Sequence, residues 1–194
     1  VKLLVGLGNP GRKHVLNRHN LGFLVAEAWA LLKGEEFKKE EFKAQTAKVR
    51  VGSEDVLVMK PLTYMNRSGE SVAEALRFYK LGVEDLIVLH DEVDLPPMSF
   101  RMKKGGGTAG NNGLKSIVPL GENFIRIRLG IGRPPHPGMQ VADYVLGNLE
   151  QVELDFWEKE MPNVCEAIDL CLDGKIEAAM GKFHRKPQET KNGT

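Results

Sequence analysis

Five polar residues of this sequence have the types that one acyl-transfer reaction needs: His19, Asp91 and the amides Asn9, Asn66 and Asn112. A histidine near its ordinary pKa of about 6.5 can take a proton from water at neutral pH. A carboxylate at Asp91 could orient that imidazole, or merely cap a turn. Side-chain amides hold and polarise a carbonyl without competing for the proton. No cysteine or evident serine nucleophile accompanies the set. The equipment suits water attacking an activated acyl group, with no metal and no organic cofactor. Each residue also has a plain structural use: Asn66 fits a helix N-cap, and the glycine-rich run before Asn112 fits a flexible hairpin tip.

These residues gather function only if the elements around them bring them together. Leu3–Leu7, Val56–Met59 and Leu86–Leu89 are continuously apolar, as strands covered on both faces are. Ala44–Val51, Ser99–Lys103 and Phe124–Leu129 alternate, which predicts half-exposed or edge strands. Helical spacing predicts helices over Leu21–Lys33 and Ser68–Lys80, with a short one at Gly113–Leu120 cut by Pro119. Pro162 is expected to separate a helix near 150–160 from the apolar stripe Val164, Ile168, Cys171 and Leu172. A last short helix spans 175–184, and the polar tail Lys186–Thr194 is expected to be disordered. Strands alternating with helices predict a single α/β domain over residues 1–185, its twisted sheet mixed but mostly parallel and surrounded by helices. On that layout Asn9, Asn66 and Asp91 follow strands, and His19 enters a helix.

Gly6-Leu7-Gly8-Asn9-Pro10-Gly11 spells the dinucleotide-binding G-x-G-x-x-G after a strand. That fingerprint needs a helix opening at its third glycine and an acid at the end of a second strand. Gly11 is followed instead by a stretch without helical periodicity, and Glu35 and Glu36 follow a helix. A nicotinamide-type oxidoreductase therefore rests on one motif without its partner. The same loop could simply expose Asn9 at a strand's carboxyl end.

Composition narrows the class further. The 194 residues carry 27 basic and 26 acidic side chains, a formal charge of +1, which excludes a histone-like polybasic protein. No apolar run reaches the roughly 18 residues of a membrane span, and the opening Val1–Val5 run is too short for a secretory segment. Cys165 and Cys171 sit among apolar residues, where reduced buried thiols are expected although one disulfide stays open. A cytoplasmic domain follows. Charge is nonetheless uneven: seven basic residues against Glu122 alone lie between Arg101 and Arg133, whereas 150–177 holds nine acids and two lysines. In Phe124–Leu129 the strand period puts Arg126 and Arg128 on one face, either as a solvated face or as a phosphate-contacting patch.

Five ordered motifs then resemble one family. They are Gly6–Gly11; Asn17-Arg18-His19-Asn20-Leu21-Gly22-Phe23; Lys60-Pro61-Leu62-Thr63-Tyr64-Met65-Asn66-Arg67-Ser68-Gly69; His90-Asp91-Glu92-Val93-Asp94-Leu95-Pro96; and Asn112-Gly113-Leu114-Lys115-Ser116-Ile117. Together they are similar to bacterial peptidyl-tRNA hydrolases. The resemblance implies a usually monomeric α/β enzyme of translation that cleaves the ester between a peptide and tRNA. It implies His19 as general base and Asp91 as its acidic partner. It also implies Asn9, Asn66 and Asn112 as holders of the peptide and acyl group, with Met65 as the apolar wall beside them. Lys103 and Arg128 match the pair that clamps the tRNA 5′ phosphate. Two positions depart from the family's usual pattern: Asn111 stands where histidine is frequent, and His14 where an aromatic is usual. His14 and His90 are expected to be structural, and His136 and His184 have no supporting motif. A catalytically silent RNA-binding relative is the alternative, separable by ester cleavage.

Overall fold

The computed structural model describes residues 1–184; the expected tail at Lys186–Thr194 lies outside the described residues. Seven strands form one sheet: β1 (Lys2–Gly6), β2 (Lys39–Glu41), β3 (Ala44–Val51), β4 (Glu54–Pro61), β5 (Leu86–Glu92), β6 (Ser99–Lys104) and β7 (Ile125–Gly130). Their spatial order is β2-β3-β4-β1-β5-β7-β6. The central four, β4, β1, β5 and β7, are parallel, and β2, β3 and β6 run antiparallel to their neighbours. The mixed, mostly parallel α/β sheet expected from the sequence is therefore present. Chain order reverses direction around β1, and the crevice beyond the carboxyl ends of β4, β1 and β5 is where open α/β sheets place their sites.

The period of two along each strand divides the core. Leu4, Val58, Ile87, Leu89 and Leu129 face a layer built from α1 (Leu21–Leu32) and the carboxyl-terminal helices α5 (Gln151–Leu172) and α6 (Ile176–Phe183). Leu3, Val5, Leu57, Met59 and Val88 face α2 (Ser68–Tyr79) and α3 (Asn112–Ile117). A fourth short helix in chain order, α4 (Val141–Val145), lies on the α1 side through Tyr144 and Val145.

Three expectations need correction. Pro162 does not divide the region: α5 runs through it without a break. Pro162 lies on the solvent side, where water can satisfy the carbonyl its missing N–H leaves free, while Trp157, Val164 and Ile168 bind both halves to the core. The Phe124–Leu129 segment is not an edge, since β7 lies between β5 and β6. Nor is Arg126 on a solvated face: it is buried, its guanidinium donating to the carbonyls of Gly107 and Glu122 and lying 4.4 Å from the Phe124 ring centre. The third helix is cut as expected: α3 stops at Ile117, and Pro119 lies in the 3-10 turn that follows, Val118–Leu120.

Cys165 and Cys171 are free and buried on α5, burial pushing their thiols up to about 11 and about 12. His184 also has a use: its Nε2 accepts from the Met102 amide at 2.9 Å, covering part of the outer edge of β6.

Two glycines set how closely the layers meet. A Cβ on Gly22 would stand 2.4 Å from the Leu89 carbonyl oxygen and 2.7 Å from the Leu7 backbone, so the first turn of α1 rests directly on the tips of β1 and β5. A Cβ on Gly69 would stand 1.9 Å from the Ser116 carbonyl oxygen, so α2 crosses α3 at backbone contact. Gly22→Ala is expected to cost about 1–3 kcal/mol, as overpacking does, and to lower activity by lifting the neighbouring residues 18–20 from the sheet. Urea denaturation with a parallel rate measurement checks both; unchanged stability would show that the contact can relax.

Candidate active site

The glycine-rich turn after β1 serves packing. A Cβ on Gly6 would stand 2.3 Å from the Gly22 carbonyl oxygen, and one on Gly8 2.7 Å from the Phe23 ring. Two of the three motif glycines are thus accounted for by the seating of α1, and Gly11, at φ 105° in open space, makes the turn. Asn9 projects from this loop. Asn20 clamps it from both sides: the Asn9 amide donates to Asn20 Oδ1, and Asn20 Nδ2 donates to the Asn9 carbonyl, each at 2.8 Å. The Asn9 side-chain oxygen accepts from the Met65 amide at 2.7 Å, which fixes the orientation of the group and leaves its Nδ2 as a donor toward the cleft.

His19 sits in a single 3-10 turn, Arg18–Asn20, between two buried anchors. On one side, Arg18 donates to Glu153 Oε1 at 3.0 Å, and its guanidinium lies 4.4 Å from the Tyr144 ring centre. On the other is the Asn20 clamp. His19 Nδ1 donates directly to Asp91 Oδ2 at 2.8 Å. That bond selects the tautomer with a free Nε2, and Nε2 meets no protein partner among the described residues. The imidazole lines two adjoining cavities.

Those cavities form the cleft. One, of about 440 Å³, is bounded by His19, Asp91, Asn111, Asn112, Arg133 and Val141. The other, of about 260 Å³, is bounded by Asn9, His19, Tyr64, Met65, Asn66 and Asn112, among others. His19, Asn112, Ala142 and Val145 border both. Thus Asn9, His19, Met65, Asn66, Asp91 and Asn112 come together at the carboxyl ends of the parallel strands. Asn66 is not a helix cap: α2 begins after a 3-10 turn, Met65–Arg67, and Ser68 Oγ donates to the Met65 carbonyl. The turn is held by an unusual backbone at Tyr64, φ 64° and ψ 156°, a region that costs a side-chain-bearing residue on the order of 1–3 kcal/mol. Its ring is exposed at the cleft mouth.

Lys103 and Arg128 are brought together elsewhere. They border a separate depression of about 240 Å³ with His90, Glu92, Asp94, Gly107, Ala109 and Arg126. Glu92 and Ala109 border both this depression and the larger cavity of the cleft, so the two adjoin. Arg128 Nε donates to Glu92 Oε1 at 2.9 Å, and Lys103 is exposed. His90 is structural here: Nδ1 donates to the Asp91 carbonyl at 2.8 Å, and burial pushes its pKa down, keeping the ring neutral. His14 Nδ1 donates to Asn17 Oδ1 at 2.7 Å, a loop contact away from the cleft residues.

The sequence family decides between readings of this geometry. The model of the peptidyl-tRNA hydrolase family matches residues 3–192. The chain belongs to the peptidyl-tRNA hydrolase family. It is 46% identical over 191 residues to a peptidyl-tRNA hydrolase of Anaeromyxobacter sp. (strain K), across 96% of this chain and 97% of the relative. A peptidyl-tRNA hydrolase of Cereibacter sphaeroides (strain ATCC 17029 / ATH 2.4.9) is 50% identical over 195 residues, across 98% and 86%. The crystal structure of peptidyl-tRNA hydrolase from Acinetobacter baumannii matches with a TM-score of 0.88 at 37% identity over 94% of each chain.

Within this family member, sequence reasoning missed the anchors. Asn20, Arg18 with Glu153, and the cleft wall from α4 carried no assigned role. The Arg18 and Asn20 signal was there: three consecutive polar residues before an apolar helix. Nothing marked Glu153, 135 residues away along the chain.

Burial works against protonation of His19, but the charge and hydrogen bond of Asp91 outweigh it, and the pKa is raised above its ordinary value. A raised folded pKa means that the pair stabilises the fold fully below about pH 6.5 and that this contribution fades as pH rises through the raised value. NMR titration of the His19 ring should show a midpoint above the free-histidine value. In Asp91→Asn the midpoint should fall, since burial then acts alone. An unmoved midpoint would remove Asp91 as the cause.

Proposed function

We propose that the chain hydrolyses the ester joining a peptide or N-acyl-aminoacyl group to tRNA, releasing tRNA for reuse, with His19 as general base. The observation that carries this reading is the His19 ring, held by Asp91 at Nδ1 while Nε2 opens on a cleft bordered by the amides of Asn9, Asn66, Asn111 and Asn112. Neutral Nε2 takes a proton from water as the oxygen attacks the ester carbonyl, and Asp91 stabilises the imidazolium that forms. Asn9 offers an N–H donor whose direction Met65 fixes, and it, Asn66 and Asn112 hold the peptide and the developing oxyanion. The Met65 side chain forms the apolar wall beside them. The tRNA ribose oxygen leaves, taking the proton from the imidazolium, and His19 returns to its neutral form.

Lys103 and Arg128 supply the second point of recognition. Their depression suits the 5′ phosphate of the acceptor end, with Arg128 already oriented by Glu92. In this reading residues 1–185 act as one domain, as a monomer in the cytoplasm. No metal or cofactor takes part. Among the described residues no helix is long and apolar enough to cross a membrane.

Release of the labelled acyl group from N-acetyl-aminoacyl-tRNA, with EDTA present, tests the reaction. Wild type should cleave, and His19→Ala should fold and bind tRNA yet lose at least about 10²-fold in turnover. Wild type that binds tRNA without cleaving would make it a silent RNA-binding relative. Lys103→Ala and Arg128→Ala should raise KM with little change in kcat, and each should make the affinity for tRNA less dependent on salt. An unaltered salt dependence would dismiss the phosphate assignment.

A further inference from the structure

Asn111, which in the sequence stands out only as a departure from the resembled pattern, has definite work in the structure. Asn111 caps α3: its Oδ1 accepts from the Leu114 amide at 3.1 Å. Because that partner is an N–H donor, the atom facing it must be the oxygen, so Nδ2 points the other way. There it donates to Asp91 twice, to Oδ1 at 3.3 Å and to the backbone carbonyl at 3.4 Å. Asp91 Oδ2 is engaged by His19, and Asn111 is the partner of Oδ1 among the described residues.

The rest of the glycine-rich segment makes this contact firm. It leaves the end of β6 beside the start of β7, where the Gly105 amide donates to the Phe124 carbonyl, and runs along the side of the sheet on which Arg126 lies. Buried Arg126 holds it midway through the Gly107 carbonyl. It reaches the tip of β5 at Asn111. There the Asp91 carbonyl accepts from Asn111 Nδ2 and from Nδ1 of the neutral His90 ring. Backbone and carboxylate of Asp91 are therefore both fixed by neutral donors.

We propose that Asn111 is a positioning residue for the reaction: it locks the Asp91 carboxylate so that Oδ2 meets His19 Nδ1, and caps α3 with its other end. This rests on the reading of His19 and Asp91 as the catalytic pair. Only a side chain that accepts at one end and donates at the other meets both demands. The neutral amide also adds no second ionising group beside His19.

Two substitutions separate positioning from support of the fold. Serine and aspartate both cap helices well, so Asn111→Ser and Asn111→Asp should melt within a few degrees of wild type. Asn111→Ser loses the donor to Asp91; Asn111→Asp replaces it with a like charge. Both should lower kcat on N-acetyl-aminoacyl-tRNA by about ten- to a hundredfold, with KM within about twofold, as loosened catalytic geometry does. The acid limb of the kcat/KM profile should have unit slope in wild type. It should move to higher pH in both variants, further in Asn111→Asp, because a less satisfied or doubled negative charge holds the His19 proton more tightly. Wild-type kcat and an unshifted limb in both variants, from an active wild type, would overturn the positioning role and leave the hydrolase reading standing. Inactive wild type would instead bring down that reading and this role with it.

Discussion

Everything at the cleft depends on how closely the first turn of α1 approaches the ends of β1 and β5. Gly22 lets the helix backbone rest on the Leu89 carbonyl, and Gly6 lets β1 pass beneath the same turn. At that separation a histidine just before the helix reaches a carboxylate at the strand tip, giving the 2.8 Å bond between His19 and Asp91. A side chain at either position would widen the gap by more than a hydrogen bond tolerates. The glycines that look like a nucleotide fingerprint are in physical terms the clearance for this contact.

Closeness brings a second demand, since Asn17, Arg18, His19 and Asn20 are all buried. Burying four consecutive polar residues is unfavourable unless each finds a partner. Asn17 donates to Asn148, Arg18 to Glu153 and Asn20 to the Asn9 carbonyl, so the distant 148–153 region and the loop after β1 together hold one turn. His19 keeps one ring nitrogen without a partner among the described residues, which is the nitrogen that the proposed chemistry requires. The same division recurs at Asn9, whose oxygen is taken by Met65 and whose Nδ2 is left open. At these two residues preorganisation means that one end of the side chain is consumed by the scaffold and the other is left to the cleft.

The fold was legible where burial is simple. Leu3–Leu7 and Leu86–Leu89 are continuously apolar because helices cover both sides, and the pattern needs no tertiary knowledge to be read. What stayed hidden involves partners far apart in sequence. Pro162 reads as a helix breaker until the core contacts of Trp157, Val164 and Ile168 are known to carry α5 past it. Arg126 reads as a surface charge until the glycine-rich segment is seen to cover it with a carbonyl. The five-residue helix α4 has too little length for periodicity to show, yet it walls the cleft. Residues that border the cleft were nameable from motif order, whereas Asn111 looked only like a departure, because neither of its partners is visible from spacing.

The placement of charge has a last consequence for selectivity. The cleft that holds the imidazole and amides meets the depression of Lys103 and Arg128 along Glu92 and Ala109, which border both. In the proposed reading a substrate that uses both presents an acyl ester on one side of that boundary and a phosphate on the other. A short ester lacking the phosphate can reach His19 but gains nothing from the basic depression. The nine acids of 150–177 lie mostly on α5, packed against α1 and α6, and discourage a polyanion from that flank. In that reading, selection of a tRNA-sized substrate comes from the separation of the cleft from the basic depression and from the sign of the charge on each flank, with no need for base-specific contacts.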